Sequence, residues 1–158
     1  MTRTETPFAA KPLVRTGIAE GAVRVILRLE GLALLVVACA AYGLMHGGWG
    51  RFALLFFLPD LSMLGYLAGP RVGAAVYNAG HSTLTPAVLG LAGAMLAAPW
   101  VYPVALIWPI ALIWPIALIW TAHIGFDRMM GYGLKYPAAF GDTHLGLVGR
   151  WASYPAAV

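Results

Sequence analysis

The stretch LALLVVACAAYGLM, residues 32–45, decides the fold class, because it is a long apolar run with no charged side chain. It opens a longer segment, residues 31–122, in which Arg51, Asp60 and Arg71 are the only formally charged residues. A segment of this length holds about four bilayer crossings of roughly 20 apolar residues each. We therefore predict an all-α fold, a polytopic membrane helix bundle of about four transmembrane helices.

Glycine and proline divide this segment into its predicted spans. The polar N-terminus lacks the short apolar core and the cleavage site of a secretory signal, so the first helix is expected to be retained. The division predicts a cytoplasmic segment 1–24, a transmembrane domain 25–122 and a cytoplasmic or interfacial segment 123–158. The predicted helices are Val25 to Met45, Phe52 to Ala68, Val72 to Ala97 and Val101 to Ala122.

Composition and charge agree with this class. Hydrophobic residues make up 61% of the 158-residue chain and charged residues 10%, which disfavours a soluble enzyme, a nucleic-acid-binding module and a disordered tail protein. Of the ten lysines and arginines, only Arg51 falls on one side of the predicted bundle, so the positive-inside rule places both termini in the cytoplasm. The single cysteine, Cys39, excludes an intrachain disulfide and a cysteine-based metal site.

An internal repeat occupies the fourth predicted helix. The hexamer ALIWPI occurs at 105–110 and 111–116, and ALIW follows at 117–120. Six residues advance an α-helix by about 600°, so the three repeat tryptophans point in directions roughly 120° apart and form no single stripe. The repeat prolines are expected to bend the helix. The pattern indicates duplication of an apolar hexamer and not a binding face.

Ionisable groups inside spanning segments are costly and mark candidate sites. Asp60 lies in the second predicted helix and His81 in the third, whereas His123 and Asp127 follow the fourth at a spacing that puts them on one helical face. Imidazole and carboxylate are ligands of zinc, manganese and iron. The sequence thus predicts a divalent metal site formed by Asp60, His81, His123 and Asp127, with Asn78 flanking the His81 imidazole.

Each candidate ligand also has a structural alternative. Asp60 is equally suited to capping a helix at the Pro59 break, and His81 to hydrogen bonding with a neighbouring helix. Asp127 and His123 fit a polar helix end, with Asp127 paired to a nearby cation. Regular, perpendicular helices would leave this pair roughly a dozen ångströms from the other two ligands in depth.

The C-terminal segment combines glycines, aromatics and ionisable groups between residues 131 and 144. One hypothesis is a lid that folds over the cytoplasmic mouth and brings Asp142 or His144 near the site as a general base. The alternative is interfacial anchoring by Tyr132, Tyr136 and Trp151.

Several short motifs are spread over the chain: RLEG at 28–31, PDLSMLGY at 59–66, GPRVG at 69–73, YNAGH at 77–81, HIGFDR at 123–128, GYGLKYP at 131–137 and DTH at 142–144. With these motifs, the chain resembles a family of small bacterial integral membrane proteins known as domain of unknown function 4260. The resemblance covers roughly residues 28–146 and implies a multi-pass protein of the bacterial inner membrane, surrounded by lipid. The hexamer repeat departs from it.

The order of Pro-Asp, His-Ser and His-x-x-x-Asp is similar to that of inner-membrane proteins described as metal-dependent hydrolases. This resemblance implies Asp60, His81, His123 and Asp127 as metal ligands. The second histidine of that family, three residues before His-Ser, is Asn78 in this chain. One ligand of the family is therefore replaced.

The leading hypothesis is metal-dependent hydrolysis of a lipid-like ester or phosphoester. The alternative is a non-catalytic accessory subunit that binds other subunits of a larger respiratory or photosynthetic membrane complex. A third hypothesis, proton or ion conduction through Asp60 and His81, lacks the internal inverted repeat common in transporters. The sequence provides no basis for a nucleic-acid partner.

Overall fold

The computed structural model describes residues 17–96 and 107–148, and this part of the chain is mostly helical. Two helical segments, Gly21–Leu44 and Trp49–Ala68, are long and apolar enough to cross a membrane. Four spans and cytoplasmic termini remain predictions. The elements are α1 Gly21–Leu44, α2 Trp49–Phe56, a 3-10 helix Leu58–Ala68, α3 Pro70–His81, α4 Leu84–Leu96, α5 Ile107–Met130, β1 Asp142–Thr143 and β2 Gly146–Leu147.

Two of the predicted helices are each divided into two pieces. The second consists of α2 and the 3-10 helix, which meet at Phe57 just before Pro59. The third is interrupted after His81, where the Ser82 Oγ accepts a hydrogen bond from the Leu84 amide and so caps α4. The sequence prediction of one continuous helix over Val72–Ala97 was therefore wrong.

The α5 helix continues to Met130, beyond the predicted end at Ala122. It ends where Gly131 adopts a φ of 95°, a left-handed conformation that favours glycine. The Gly131 amide donates to the Arg128 carbonyl, and the Tyr132 amide donates to the Asp127 carbonyl, which together form a Schellman motif. His123 and Asp127 consequently lie inside a helix. The predicted start at Val101 lies outside the described residues.

The α1 and α5 helices cross with their backbones in close contact. A Cβ added to Gly31 would lie 2.6 Å from the Met129 amide nitrogen, and one added to Gly125 would lie 2.6 Å from the Leu35 amide nitrogen. Small residues allow such an approach in bundles whose helices face lipid. Two glycines therefore define this crossing.

The 3-10 helix packs against α3 through residues spaced by three. A 3-10 helix has three residues per turn, so Pro59, Ser62 and Gly65 line up on one side. A Cβ on Gly80 would lie 2.9 Å from the Ser62 side chain, and one on Gly65 would lie 2.8 Å from Val76. This contact positions the start of the 3-10 helix beside the end of α3.

Apolar side chains cover much of the exposed helix surface. Val37 on α1, Leu54 on α2 and Leu67 on the 3-10 helix are between 67% and 88% exposed. Contiguous apolar surface of this kind is rare in proteins that face only water. The outer faces of these helices are thus suited to contact with lipid or with another apolar partner.

The repeat tryptophans have different surroundings, as their spacing predicts. Trp114 is 40% exposed, whereas the Trp120 Nε1 donates a 2.6 Å hydrogen bond to the Gly80 carbonyl at the end of α3. Pro115 lies inside α5. The Trp108 side chain and Pro103 lie outside the described residues. Trp120 thus joins α5 to α3 by a hydrogen bond, whereas Trp114 lies beside Gly93 of α4.

Candidate metal centre

Three helical elements bring the four predicted ligands together. Asp60 lies in the first turn of the 3-10 helix, and His81 is the last residue of α3. His123 and Asp127 lie one turn apart in α5. The breaks at Phe57 and after His81, with the longer α5, remove the depth mismatch expected from regular helices. The predicted cluster of four residues is present in the structure.

The ligand atoms of Asp60, His81 and His123 all lie within 4.8 Å of one another. The Asp60 Oδ1 is 3.5 Å from the Nε2 of each histidine, and the two Nε2 atoms are 3.2 Å apart. The Asp127 Oδ2 completes the group, at 3.6 Å from the His81 Nε2 and 3.8 Å from the His123 Nε2. Each carboxylate therefore has one oxygen close to both histidine nitrogens.

These separations match the edges of a small coordination polyhedron. Ligands about 2.0–2.1 Å from a tetrahedral zinc ion lie about 3.3 Å from one another. The five distances given for the four residues lie between 3.2 and 3.8 Å. The mixed imidazole and carboxylate donor set suits a borderline divalent ion such as zinc, manganese or iron. In both spacing and chemistry, the residues fit a divalent metal.

The other nitrogen of His81 fixes the orientation of its ring. The His81 Nδ1 lies 3.1 Å from the Tyr77 carbonyl oxygen and 3.3 Å from the Ser62 Oγ. Because a carbonyl only accepts, the Nδ1 carries the proton in this contact and leaves the Nε2 lone pair directed toward the cluster. This is the arrangement that supports a metal-bound histidine.

The surroundings of His123 are less polar. Its ring contacts the ring of Phe56 edge to face, with centroids 5.2 Å apart. Its Nδ1 is buried and has no hydrogen-bond partner among the described residues. Packing holds this ring in place, whereas hydrogen bonds hold His81.

The two carboxylates differ in exposure. The Asp127 side chain is 16% exposed, and its Oδ2 accepts a hydrogen bond from the Tyr77 hydroxyl at 3.2 Å. The Asp60 side chain is 30% exposed. The cluster therefore opens to its surroundings on the side of Asp60.

A family model covers most of the chain that contains this cluster. Domain of unknown function DUF4260 matches residues 24–148. The chain belongs to the DUF4260 family. No curated protein and no solved structure matches it. The resemblance to metal-dependent hydrolases has no support from relatives and rests on the residues alone.

The alternatives for Asp60 and Asp127 can be compared with their contacts in this DUF4260 chain. No side-chain hydrogen bond caps the 3-10 helix, and Asp60 contacts the two histidines instead. Among the described residues, the ion pairs given for Asp127 are also those with the histidines. The contacts of both acids thus favour the cluster over the alternatives.

Asn78 does not flank His81 as the sequence suggested. Its Nδ2 donates to the Lys135 carbonyl at 2.9 Å, and its Oδ1 accepts from the Lys135 amide at 2.7 Å. Both polar atoms of this side chain therefore bind the backbone of the C-terminal segment. The residue that replaces the histidine of the hydrolase pattern holds this segment against α3.

The C-terminal segment folds back over the helices. Beyond the Asn78 contact, the Lys135 Nζ donates to the Phe140 carbonyl at 2.9 Å and lies 4.5 Å from the centre of the Tyr77 ring. Burial lowers the pKa of Lys135 to about 8, although the negative charges of Asp127 and Asp60 partly oppose this change. The segment thus packs against Tyr77, and its function as a lid remains a prediction.

The two predicted general bases lie in this segment but outside the four-residue cluster. The His144 Nδ1 accepts a 2.8 Å hydrogen bond from the Leu134 amide. Burial lowers the pKa of His144, and the positive charge of Arg128 acts in the same direction. Asp142 lies in β1, and its carbonyl accepts from the Tyr136 amide. Their role in catalysis remains a prediction.

Three residues near the cluster were missed by sequence reasoning. Tyr77 contacts both His81 and Asp127, Ser62 contacts His81, and Phe56 packs against His123. The position of Tyr77 one turn before His81 was an available signal, because residues four apart share a helical face. The other two belong to different elements from their partners, so spacing alone could not identify them.

Proposed function

We propose that this DUF4260 protein is a membrane-embedded, metal-dependent hydrolase. Asp60, His81, His123 and Asp127 hold a divalent transition metal, with zinc as the first candidate. The observation that carries the proposal is that one oxygen of each carboxylate lies 3.5–3.8 Å from both histidine Nε2 atoms, which are themselves 3.2 Å apart. Such a set is costly to bury unless something compensates it, and a cation does so directly.

Each ligand has a distinct structural role. His81, oriented by the Tyr77 carbonyl, and His123, enclosed by Phe56, supply the two buried nitrogens. Asp127 supplies a partly buried oxygen, whereas Asp60 is the most exposed of the four ligands. A divalent ion held by these four residues would supply Lewis-acid polarisation of an ester or phosphoester oxygen and would lower the pKa of a bound water. A substrate therefore approaches past Asp60.

The surroundings of Asp60 favour a lipid-like substrate. Phe57 and Leu61, which are close to Asp60 in the chain, are 64% and 59% exposed. An ester or phosphoester attached to an acyl chain places its apolar part against such side chains while its polar head reaches the ligands. Asp142 and His144 stay candidates for the general base, and His144 must first release the Leu134 amide to act in this way.

Elemental analysis of detergent-purified protein after washing with chelator tests the metal site. We expect close to one equivalent of metal in the wild type, and its loss in Asp60→Asn and in His81→Ala. The matched control is His46→Asn. His46 is an exposed histidine with a φ of 52°, which asparagine tolerates. A wild type without metal, or metal retained in both site variants, would reject the proposal.

The hydrolase part of the proposal needs a separate assay. Metal-loaded protein is screened with lipid esters and lipid phosphoesters in mixed micelles, next to His81→Ala. Release of product by the wild type alone supports hydrolysis. Bound metal without turnover on any of these substrates would restrict the function to metal binding.

A second candidate function is that of a non-catalytic accessory subunit of a larger membrane complex. The exposed apolar faces of α1 and α2 favour it, because another subunit can cover them as well as lipid does. Co-migration with a larger complex on native gels, unchanged in His81→Ala, supports this function. Migration as a solitary small oligomer argues against it.

A further inference from the structure

Tyr77 makes three separate contacts with two of the proposed ligands. Its ring stacks on the His81 ring, with centroids 3.7 Å apart and an interplanar angle of 10°. Its carbonyl oxygen lies 3.1 Å from the His81 Nδ1, and its hydroxyl donates to the Asp127 Oδ2 at 3.2 Å. Tyr77 is itself 2% exposed. One buried side chain thus joins a ligand on α3 to a ligand on α5.

We infer that Tyr77 is a positioning residue that sets the geometry and the affinity of the metal centre. The inference rests on the proposed function, since it assigns a role at the same site. Tyr77 lies one helical turn before His81, which places its carbonyl beneath the histidine ring and its ring against it. Stacking and the Nδ1 contact together restrict the rotation of His81.

The hydroxyl of Tyr77 acts on the oxygen that would bind the metal. The Asp127 Oδ2 both accepts the hydrogen bond from Tyr77 and faces the two histidine nitrogens. A hydrogen bond to a ligating carboxylate fixes its orientation and adjusts its strength as a donor. Removal of such an outer partner typically weakens metal binding about 10–100-fold.

The C-terminal segment supports Tyr77 from outside the cluster. The Lys135 Nζ lies over the Tyr77 ring and 3.4 Å from the centre of the Phe140 ring. Lys135 is held in turn by the two hydrogen bonds between its backbone and Asn78. Contacts therefore extend from this segment through Tyr77 to His81 and Asp127.

The test is a cobalt titration of metal-free protein, followed by optical absorption, in Tyr77→Phe and Tyr66→Phe. Tyr66 is the matched control because its buried hydroxyl has no hydrogen-bond partner within the part of the chain that the structure describes. We expect Tyr77→Phe to bind cobalt about 10–100-fold more weakly, with altered visible absorption bands. Tyr66→Phe should match the wild type in both respects.

A double-mutant cycle distinguishes positioning from a general loss of stability. Once Asp127→Ala has removed the acceptor, Tyr77→Phe should weaken cobalt binding by less than about threefold, because the two residues act through one hydrogen bond. Equal effects of Tyr77→Phe in the two backgrounds would overturn the inference. Helical circular dichroism and gel filtration verify that each variant is folded.

The outcomes separate this inference from the proposed function. A wild type that takes up no cobalt overturns both. A wild type that binds cobalt and loses it in His81→Ala, while Tyr77→Phe keeps the wild-type affinity and absorption, overturns only the role of Tyr77.

Discussion

Two opposite faces of α5 make different kinds of contact with the rest of the protein. On one face, Gly125 has no side chain, so the backbone of α1 approaches closely at Gly31 and Leu35. On the other face, His123 and Asp127 project toward Asp60 and His81. The first contact depends on the absence of atoms, and the second on the presence of ionisable ones.

This difference indicates at which of the two faces a substitution is expected to be tolerated by the fold. Any added atom at the glycine crossing meets backbone, which cannot rotate away. At the polar face, an exchanged ligand leaves the helices packed and changes what the cluster binds. Substitutions at the glycine face are thus expected to change stability, and substitutions at the polar face to change binding.

The largest loss of stability is expected for Gly125→Ala. Its new Cβ would lie 2.6 Å from the Leu35 amide nitrogen and 2.7 Å from the Gly31 carbonyl oxygen. Overpacking against backbone should cost about 3 kcal/mol or more in the free energy of unfolding. Thermal unfolding in detergent measures it. The control is Gly50→Ala, since a Cβ there meets nothing within 4 Å, and a similar loss in that variant would contradict the argument.

A smaller effect is expected for Asn78→Asp, which tests how the polar face is joined to the C-terminal segment. Aspartate keeps the acceptor for the Lys135 amide but loses the donor to the Lys135 carbonyl, at a cost of about 1–3 kcal/mol. Amide exchange at residues 134–135 should accelerate, as followed by mass spectrometry. Metal content should persist, because Asn78 is not among the ligands. Loss of metal without faster exchange would refute this assignment.

Trp120→Phe removes the hydrogen bond between α5 and the Gly80 carbonyl at the end of α3. We expect a loss of about 1 kcal/mol, because the part-buried Gly80 carbonyl loses this donor. Trp114→Phe, the equivalent change one hexamer earlier, is the control because Trp114 is 40% exposed. Equal shifts in the unfolding temperature of the two variants would show that the repeat position, and not the hydrogen bond, determines the effect.

A pH dependence of stability is expected to originate at Lys135. Its pKa is lowered from 10.5 to about 8 by burial, so between these values the unfolded chain binds more protons than the folded one. The free energy of unfolding should therefore rise with pH between about pH 8 and pH 10.5. Below this interval Lys135 is charged in the folded protein, and burial of that charge destabilises the fold to its full extent. Unfolding temperatures of the wild type and Lys135→Met, measured at several pH values, provide the test. A difference that stays constant from about pH 7 to pH 10 would contradict it.

The four candidate ligands could be selected from the sequence because ionisable residues are conspicuous in an apolar chain. Asp60, His81, His123 and Asp127 were selected by charge and spacing alone, and the structure brings them together. Their depth could not be predicted from regular helices. It depends on a break after His81 and on an α5 end at Gly131, and both are local hydrogen-bonding events.

The contacts of neutral residues were much harder to predict. Gly31 and Gly125 are separated by most of the chain, and nothing in either local sequence identifies the other as its partner. Asn78 was expected beside His81, because helical spacing permits that contact, yet the Lys135 backbone offers both a donor and an acceptor to its amide. Competition of this kind is decided by tertiary structure.

The 3-10 helix makes the segment Trp49–Ala68 longer than an α-helix with the same number of residues. Its eleven residues rise about 22 Å at 2.0 Å per residue, compared with about 16 Å for an α-helix. With α2, the segment Trp49–Ala68 reaches about 34 Å using only 20 residues, which exceeds the hydrocarbon thickness of about 30 Å. In a bilayer such a segment accommodates the excess by tilting or by local thickening of the membrane. In a bilayer, the angle of the element that carries Asp60 would therefore depend on bilayer thickness.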